Sequence, residues 1–303
     1  MTPRSLRLAE AGVLVVMVLW AGNFVVVKNA LAELPPVGFT FSRFVLAAIV
    51  LLAICRWREG SISLPRRDVL PVALLGAVGI GIYQTLWTTA LGQTTASDSA
   101  LLIASTPIFT ALIAGAIRSD RLTPLMLLGA GVSFAGVALV VLAGSEGAFG
   151  TRAFGNVVTL LAAACWAAYI SFSAPVLRRH SPLRTTAWAI FFGSLVMLPI
   201  GGAQLAFSTD WSHVTIASLF AVLYSGLLSS ALGNVLHFWG VMVVGPTRTA
   251  NFQFLVPALA VGLAAIFLGE QVRPEQLIGG AVIVLGILVA RSARRTRVAA
   301  HVA

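Results

Sequence analysis

The sequence predicts an all-α membrane protein: ten transmembrane helices in two five-helix inverted repeats around a central cavity, with both termini cytoplasmic. Three observations carry this. Of 303 residues, 58% are hydrophobic and only 10% charged, outside the range of soluble globular chains. The apolar residues are gathered into runs of membrane-spanning length, and the second half of the chain echoes the first. The same arithmetic excludes a disordered chain, a collagen-like repeat and a secreted disulfide scaffold. The only cysteines, Cys55 and Cys165, lie in apolar runs, where no disulfide is expected.

A bilayer core of about 30 Å needs about 20 residues at helical rise. Runs of that length, bounded by charges or by Gly, Pro and Ser clusters, place helices at 9–31, 37–56, 69–91, 97–117, 124–143, 154–175, 185–206, 214–243, 247–268 and 275–291. They are continuous and lack the alternation of a transmembrane barrel, so they read as helices. The first has a basic start and no small-x-small cleavage site in a suitable place, and reads as uncleaved. Residues 292–303 read as a basic cytoplasmic tail.

Twenty residues are Lys or Arg against ten Asp or Glu, a formal charge of +10. Such an excess invites a nucleic-acid reading until the charges are placed. All but Lys28, Arg43, Arg152 and Arg273 fall at the termini or in even-numbered loops. By the positive-inside rule this puts both termini in the cytoplasm and makes the excess a topology signal, so no nucleic-acid partner is expected.

At an offset of 150, Ala100 falls on Ala250, Pro107 on Pro257, Ala114 on Ala264, Pro124 on Pro274, Leu127 on Leu277, Gly129 on Gly279, Val132 on Val282 and Gly136 on Gly286. At 146, Trp20 falls on Trp166, Ala21 on Ala167 and Pro36 on Pro182. The repeats are 9–143 and 154–291. Five helices is an odd number, so the second copy enters the membrane in the opposite orientation. Two similar bundles that rock about a midplane site are the design of alternating access, so the repeat implies transport.

Polar groups inside a membrane are costly and face the bundle interior, which makes them cavity candidates. On helix one Trp20, Asn23, Phe24 and Val27 share a face, and on helix six Trp166 shares one with Tyr169 and Ser173. Helix three brings Gln84 and Thr88 beside Tyr83 and Trp87, and helix eight aligns Ser230, Asn234 and His237. Amides and aromatics around an apolar cavity suit a zwitterion with a hydrophobic side chain. The competing roles are interhelical hydrogen bonding for the amides and interface anchoring for aromatics near helix ends, the role expected of Trp57, Trp188 and Trp211. Tyr224 fits either.

Three roles fit Arg43, seven residues into helix two: binding a substrate carboxylate, snorkelling, or capping carbonyls of a neighbouring helix. Lys28 is near enough to a helix end to snorkel. His237 fits a proton carrier or a neutral core residue. Pro107 and Pro257 fall in mid-helix and predict paired gating kinks. Gly129 with Gly136, and Gly279 with Gly286, predict close helix packing that joins either the two halves or two protomers. All ten acidic residues lie in loops or near span ends, leaving no midplane carboxylate for a proton relay or sodium site, so a facilitative carrier is expected. No H-E-x-x-H, G-x-S-x-G, P-loop or Cys/His cluster is present, and Gly79 with Gly81 opens no soluble strand-turn-helix unit. No catalytic residues, metal or cofactor are expected.

The run Trp20-Ala-Gly-Asn23-Phe-Val-Val-Val-Lys28, the segment Pro36 to Arg43, Ala100 to Pro107, and Leu268-Gly269-Glu270 followed by Gly279-Gly280 and Gly286 resemble the EamA-type drug/metabolite transporters. The resemblance covers nearly the whole chain and is strongest to the aromatic amino-acid exporters represented by YddG. It implies a bacterial inner-membrane exporter of aromatic and other neutral amino acids and related metabolites. Drug or quaternary-cation efflux and proton-coupled export are its alternatives. The chain departs from the pattern where Leu-Gly-Glu of the second half becomes Ile117-Arg118-Ser119-Asp120 in the first. Arg43 also meets Ala189 at its repeat position, so any role it has is asymmetric. Nineteen arginines to one lysine in an Ala/Gly/Val-rich chain fit a GC-rich bacterial genome.

Overall fold

The computed structural model describes residues 3–117, 123–143, 150–243, 249 and 252–302. Arg118 to Asp120 and Ala250, which figure in the sequence patterns above, lie outside them, as do the loop charges Glu146 and Arg248. The described residues contain helices and no strand. Among the described residues eight helices are long and apolar enough to cross a membrane, with two shorter apolar helices at Leu255–Leu268 and Pro274–Ala290. The chain is a multi-pass membrane protein.

In chain order the helices are α1 (Pro3–Ala30), α2 (Pro36–Glu59), α3 (Arg66–Gln93), α4 (Ala96–Ile103), α5 (Thr106–Ala116), α6 (Pro124–Ala143), α7 (Thr151–Leu177), α8 (Pro182–Ser208), α9 (Ile216–Gly240), α10 (Leu255–Leu268) and α11 (Pro274–Val302). Proline at the first position opens α2, α6, α8 and α11, where its missing N–H is one the helix leaves unpaired anyway. The last helix does not stop at the predicted 291 but runs through the Ala/Arg-rich tail, whose residues are strong helix formers.

Two irregularities escape hydropathy. Within α3 the stretch Ala77–Ile82 is π-helical, as is Tyr224–Leu232 within α9, and at an offset of 150 the first falls inside the second. Each lies where small residues draw backbones together. A Cβ on Gly193 would come within 2.5 Å of the Ile80 Cβ, and one on Gly226 within 2.7 Å of the Arg43 carbonyl. The predicted fourth helix is broken, since α4 ends at Ile103 and α5 starts at Thr106 after a two-residue turn. A matching turn at 253–254 precedes α10. Pro107 and Pro257 therefore do not kink continuous helices. Each sits in the first turn of a new one, where proline removes no hydrogen bond, and the freed carbonyls of Leu102 and Ile103 accept from the Ser105 and Thr106 hydroxyls at 2.6 Å each.

The halves pack with α6 against α11, α2 against α8, α1 against α9 and α10, and α3, α4 and α5 against α7. Under the sequence repeat these contacts come in reciprocal pairs, as across a two-fold axis. The α6–α11 seam shows it residue by residue. A Cβ on Gly129 would meet the Gly286 carbonyl at 2.5 Å, and one on Gly136 the Gly279 carbonyl at 2.6 Å. Midway between, the Ser133 hydroxyl donates to Ile283 O, 150 positions on. All four glycines thus meet within one chain.

Charges gather at the two ends of the bundle. At the odd-loop end Asp98 pairs with Arg152 at 2.8 Å and accepts from Gln276, while Glu270 accepts from Ala96 N (2.7 Å), Ser97 N (3.0 Å) and the Ser97 hydroxyl (2.6 Å). Lys28 does not snorkel. Its ammonium caps the end of α3, donating to Leu91 O and Thr94 O at 2.7 Å each, because those terminal carbonyls lack helical partners. Glu33 caps α9 through Thr215. The Thr215 backbone N–H, followed by the Ser218 and Thr215 hydroxyls, holds the Glu33 carboxyl below its ordinary range. At the even-loop end Asp68 meets Arg179 (2.7 Å) and His180 (2.8 Å), and Glu59 meets Arg184 (2.9 Å). Trp57 and Trp211 are exposed, and the Trp188 indole donates to Ile62 O at 2.7 Å.

Candidate functional site

Where the two helix breaks face each other, a cavity of about 110 Å³ lies between the halves. A single water needs roughly 10–15 Å³ on this measure, so the space exceeds several waters. Trp20, Asn23, Tyr83, Gln84, Trp87, Trp166, Ser230 and Asn234 border it, together with Phe24, Arg43, Pro107 and Pro257. Tyr169 and His237 do not. They form a second layer, Tyr169 stacked behind Trp166 (5.1 Å, 21°) and His237 tilted behind Trp20 (5.1 Å, 41°).

The aromatic wall is held by ring packing. Trp166 lies between Tyr83 (5.2 Å, 30°) and Tyr169 and receives the edge of Trp20 (6.2 Å, 85°). Gly79 leaves the room that Tyr169 fills, since any Cβ there would collide with its ring. The Trp20 indole donates to Ser229 O at 3.1 Å, which fixes that ring against the π-helical turn of α9. Trp166→Phe keeps two stacking partners but loses area and the Trp20 edge. We expect it to lower stability by about 1–2 kcal/mol in thermal unfolding of the purified protein, with the fold kept. A change below a few tenths would show the rings are not a packed unit.

The polar wall centres on Arg43, which is 1% exposed and neither snorkels nor caps carbonyls. Its Nη1 donates to the Ser225 hydroxyl at 2.7 Å and its Nη2 to Gln84 Oε1 at 2.6 Å, and its guanidinium lies 4.7 Å from the Phe44 ring centroid and 5.6 Å from that of Trp87. The Ser225 hydroxyl in turn donates to Asn23 Oδ1 at 2.6 Å. Thr40 donates to Thr88 at 2.7 Å and Thr88 to Gln84 O at 2.7 Å, which steadies the helix turn carrying Gln84. Asn234 donates to Ser230 O at 2.7 Å, while its Oδ1 is buried without a partner.

Several wall residues escaped the sequence reading. Ser229 borders the cavity, and Ser225 reaches the wall residues Arg43 and Asn23, because the π-helical turns rotate α9 away from the 3.6-residue stripe on which Ser230 and Asn234 were aligned. Gln253, Phe254 and Thr106 border the cavity at the breaks, which hydropathy cannot locate. Among the described residues no group of His, Cys, Asp and Glu is placed to hold a metal ion.

A family model described as the EamA-like transporter family matches residues 7–142 and again 153–292, nearly the whole chain in two copies. The chain belongs to the EamA-like transporter family. It is a membrane transporter and not an enzyme. A relative from Streptantibioticus cattleyicolor, named a probable terminal-alkyne amino-acid exporter, is 30% identical over 274 residues, covering 90% of each chain. A Salmonella typhimurium relative, named a probable amino-acid metabolite efflux pump, is 26% identical over 290 residues, covering 91% of this chain and 92% of its own. An uncharacterized transporter of Archaeoglobus fulgidus is 29% identical over 273 residues. A solved crystal structure superposes with a TM-score of 0.66 at 20% identity, covering 95% of this chain and 98% of the other, and shares the fold.

Proposed function

We propose that this EamA-family transporter exports aromatic and other neutral amino acids and related metabolites across a bacterial inner membrane by facilitated alternating access. Ten helices would form two inverted repeats, 9–143 and 154–291, with both termini and the 292–303 tail cytoplasmic. The observation that carries the reading is the cavity itself, bordered from both halves by repeat partners: Trp20 with Trp166, Gln84 with Asn234, and Pro107 with Pro257. Reciprocal packing across the α6–α11 glycines supports an in-plane two-fold, the geometry in which each half takes the other's place as the site changes sides. The amino-acid export named for two relatives supports the substrate class.

Among the described residues no carboxylate borders the cavity, and the one formally charged side chain there is Arg43. That disfavours quaternary cations as cargo and leaves no acidic proton carrier among the wall residues. His237 sits in the second layer with Nδ1 unpartnered, a core position.

The test is uptake and counterflow of labelled amino acids in liposomes holding the purified protein and no ion gradient, with nucleosides and a quaternary cation as controls. Saturable exchange of aromatic and neutral amino acids is expected, and His237→Ala should change its pH profile little. Movement of the cation alone, or transport that needs an imposed pH gradient and disappears in His237→Ala, overturns the reading.

A further inference from the structure

Arg43 presents an electrostatic imbalance that the fold does not settle. The guanidinium is 1% exposed, borders the cavity and joins no ion pair among the described residues. Its partners, the Ser225 hydroxyl and the Gln84 amide oxygen, are neutral, and ring faces supply only partial compensation. An arginine stays protonated in proteins, and a buried charge without a counter-charge is costly in a membrane interior. Two of its five N–H donors are used, and Nε is buried with no partner.

The neighbouring amides extend this donor surface. Because Arg43 can only donate, Gln84 must turn its oxygen to it. Ser225 accepts from Arg43 and so spends its proton on the oxygen of Asn23. Both amides are left with their NH₂ groups as further donors beside the cavity. The acceptors are neutral. Asn234 Oδ1 on α9 is buried without a partner, Gln253 and the Ser230, Thr106 and Tyr83 hydroxyls add further oxygens, and among the described residues no acid borders the space. Among the described residues the wall therefore holds a full positive charge and a cluster of donors for an anion, but for a cation no full negative charge, only neutral oxygens such as those of Asn234, Gln253 and Ser230, and ring faces.

We infer that the group this cavity recognises is a carboxylate, received by Arg43 with Gln84 and Asn23, and that a substrate's amino group is dispensable. Aromatic and apolar carboxylates bind whether or not they carry an amine, and amines that lack a carboxylate are rejected. The inference rests on the cavity being the transport site, and it widens the substrate class beyond free amino acids.

Three ligands of one ring size separate the terms: L-phenylalanine, 3-phenylpropanoate and L-phenylalaninamide. Their affinities are measured by titration calorimetry on the purified protein and their exchange by counterflow. The first two are expected to bind within about tenfold of each other and the amide at least ~100-fold more weakly. Arg43→Gln should weaken both carboxylates about 100-fold and erase their advantage over the amide, while Arg43→Lys, which keeps a point charge without the planar fork, falls between. Equal binding of phenylalanine and phenylalaninamide by the wild type overturns the inference, and so does an Arg43→Gln protein that keeps the wild-type order of the three. Should Arg43→Gln fail to fold, the wild-type order and the Arg43→Lys variant decide. If amino acids exchange without regard to the carboxylate, the inference alone fails. If none of the three binds or exchanges, the transport-site reading fails with it.

Discussion

Gly286→Leu is expected to leave no folded protein in the membrane. At Gly286 a Cβ would sit 2.5 Å from both Gly129 O and Ser133 N, and closer still to the Ser133 hydroxyl. Two of these atoms are backbone, so no rotamer relieves the contact and the helices α6 and α11 must part. Parting them breaks the reciprocal contact at Gly129 and the Ser133 hydrogen bond to Ile283 O, and it loosens Gly136 against Gly279 one step along the seam. Ordinary overpacking costs roughly 1–3 kcal/mol, and a backbone-to-backbone wedge at a helix pair joining two halves exceeds it, at about 4 kcal/mol or more. Gly131 lies on α6, two residues from Gly129, with nothing within 4 Å of its Cβ position, so Gly131→Leu should be tolerated. The check is the yield and size-exclusion profile of each variant in mild detergent. Equal behaviour of the two would mean that the seam is not a structural element of the protein.

These glycines were legible because a seven-residue spacing repeated on two helices has a simple physical cause, namely two backbones in contact. The spans were legible for a similar reason, since a bilayer imposes one length and one polarity on every crossing. The polar and aromatic residues of the cavity could be found from helical spacing as far as α-helical geometry holds, which is why Trp20, Asn23, Gln84 and Trp166 were reached. That method fails where the turn widens. In α9 the π stretch carries Ser225 to Arg43 and Asn23, and no propensity marks its position. It fails again at the breaks beside Pro107 and Pro257, because a proline in an apolar run signals a disturbed helix without saying whether it bends or stops. Long-range polar contacts have no local signature at all. Glu270 reads as a loop charge and Lys28 as a snorkelling one, yet each caps a helix whose end lies more than 60 residues away in the chain.

Asp98→Asn is expected to lower stability by about 2–4 kcal/mol and to expose the cavity from the odd-loop end. Asp98 is fully buried, and its Oδ2 takes both the Nε and an Nη of Arg152 at 2.8 Å while Oδ1 accepts from Gln276. Removing one partner of a buried pair costs roughly 3–5 kcal/mol because the other charge is stranded, and the 23% exposure of the Arg152 side chain reduces that figure here. The energetic part is separable, since Arg152→Leu in the Asp98→Leu background removes the stranded charge and should recover most of the stability. The functional part should not recover. Asp98 sits on α4, Arg152 on α7 and Gln276 on α11, and Glu270, between α10 and α11, caps the same α4 terminus, so these contacts tie both halves together on one side of the cavity. Under the proposed alternating-access cycle they exist only while that side is shut, and removing them shifts the population toward the open form by their differential energy, 1.4 kcal/mol giving about tenfold. With Cys55 and Cys165 replaced, a cysteine introduced at Ala100 on the cavity wall should react with an impermeant thiol reagent at least about tenfold faster from the odd-loop side in Asp98→Asn than in the wild type. The Leu/Leu double variant should match that rate while unfolding at nearly the wild-type temperature. Faster labelling that tracked stability alone would point to general loosening, and unchanged labelling would remove this cluster from the gating of the site.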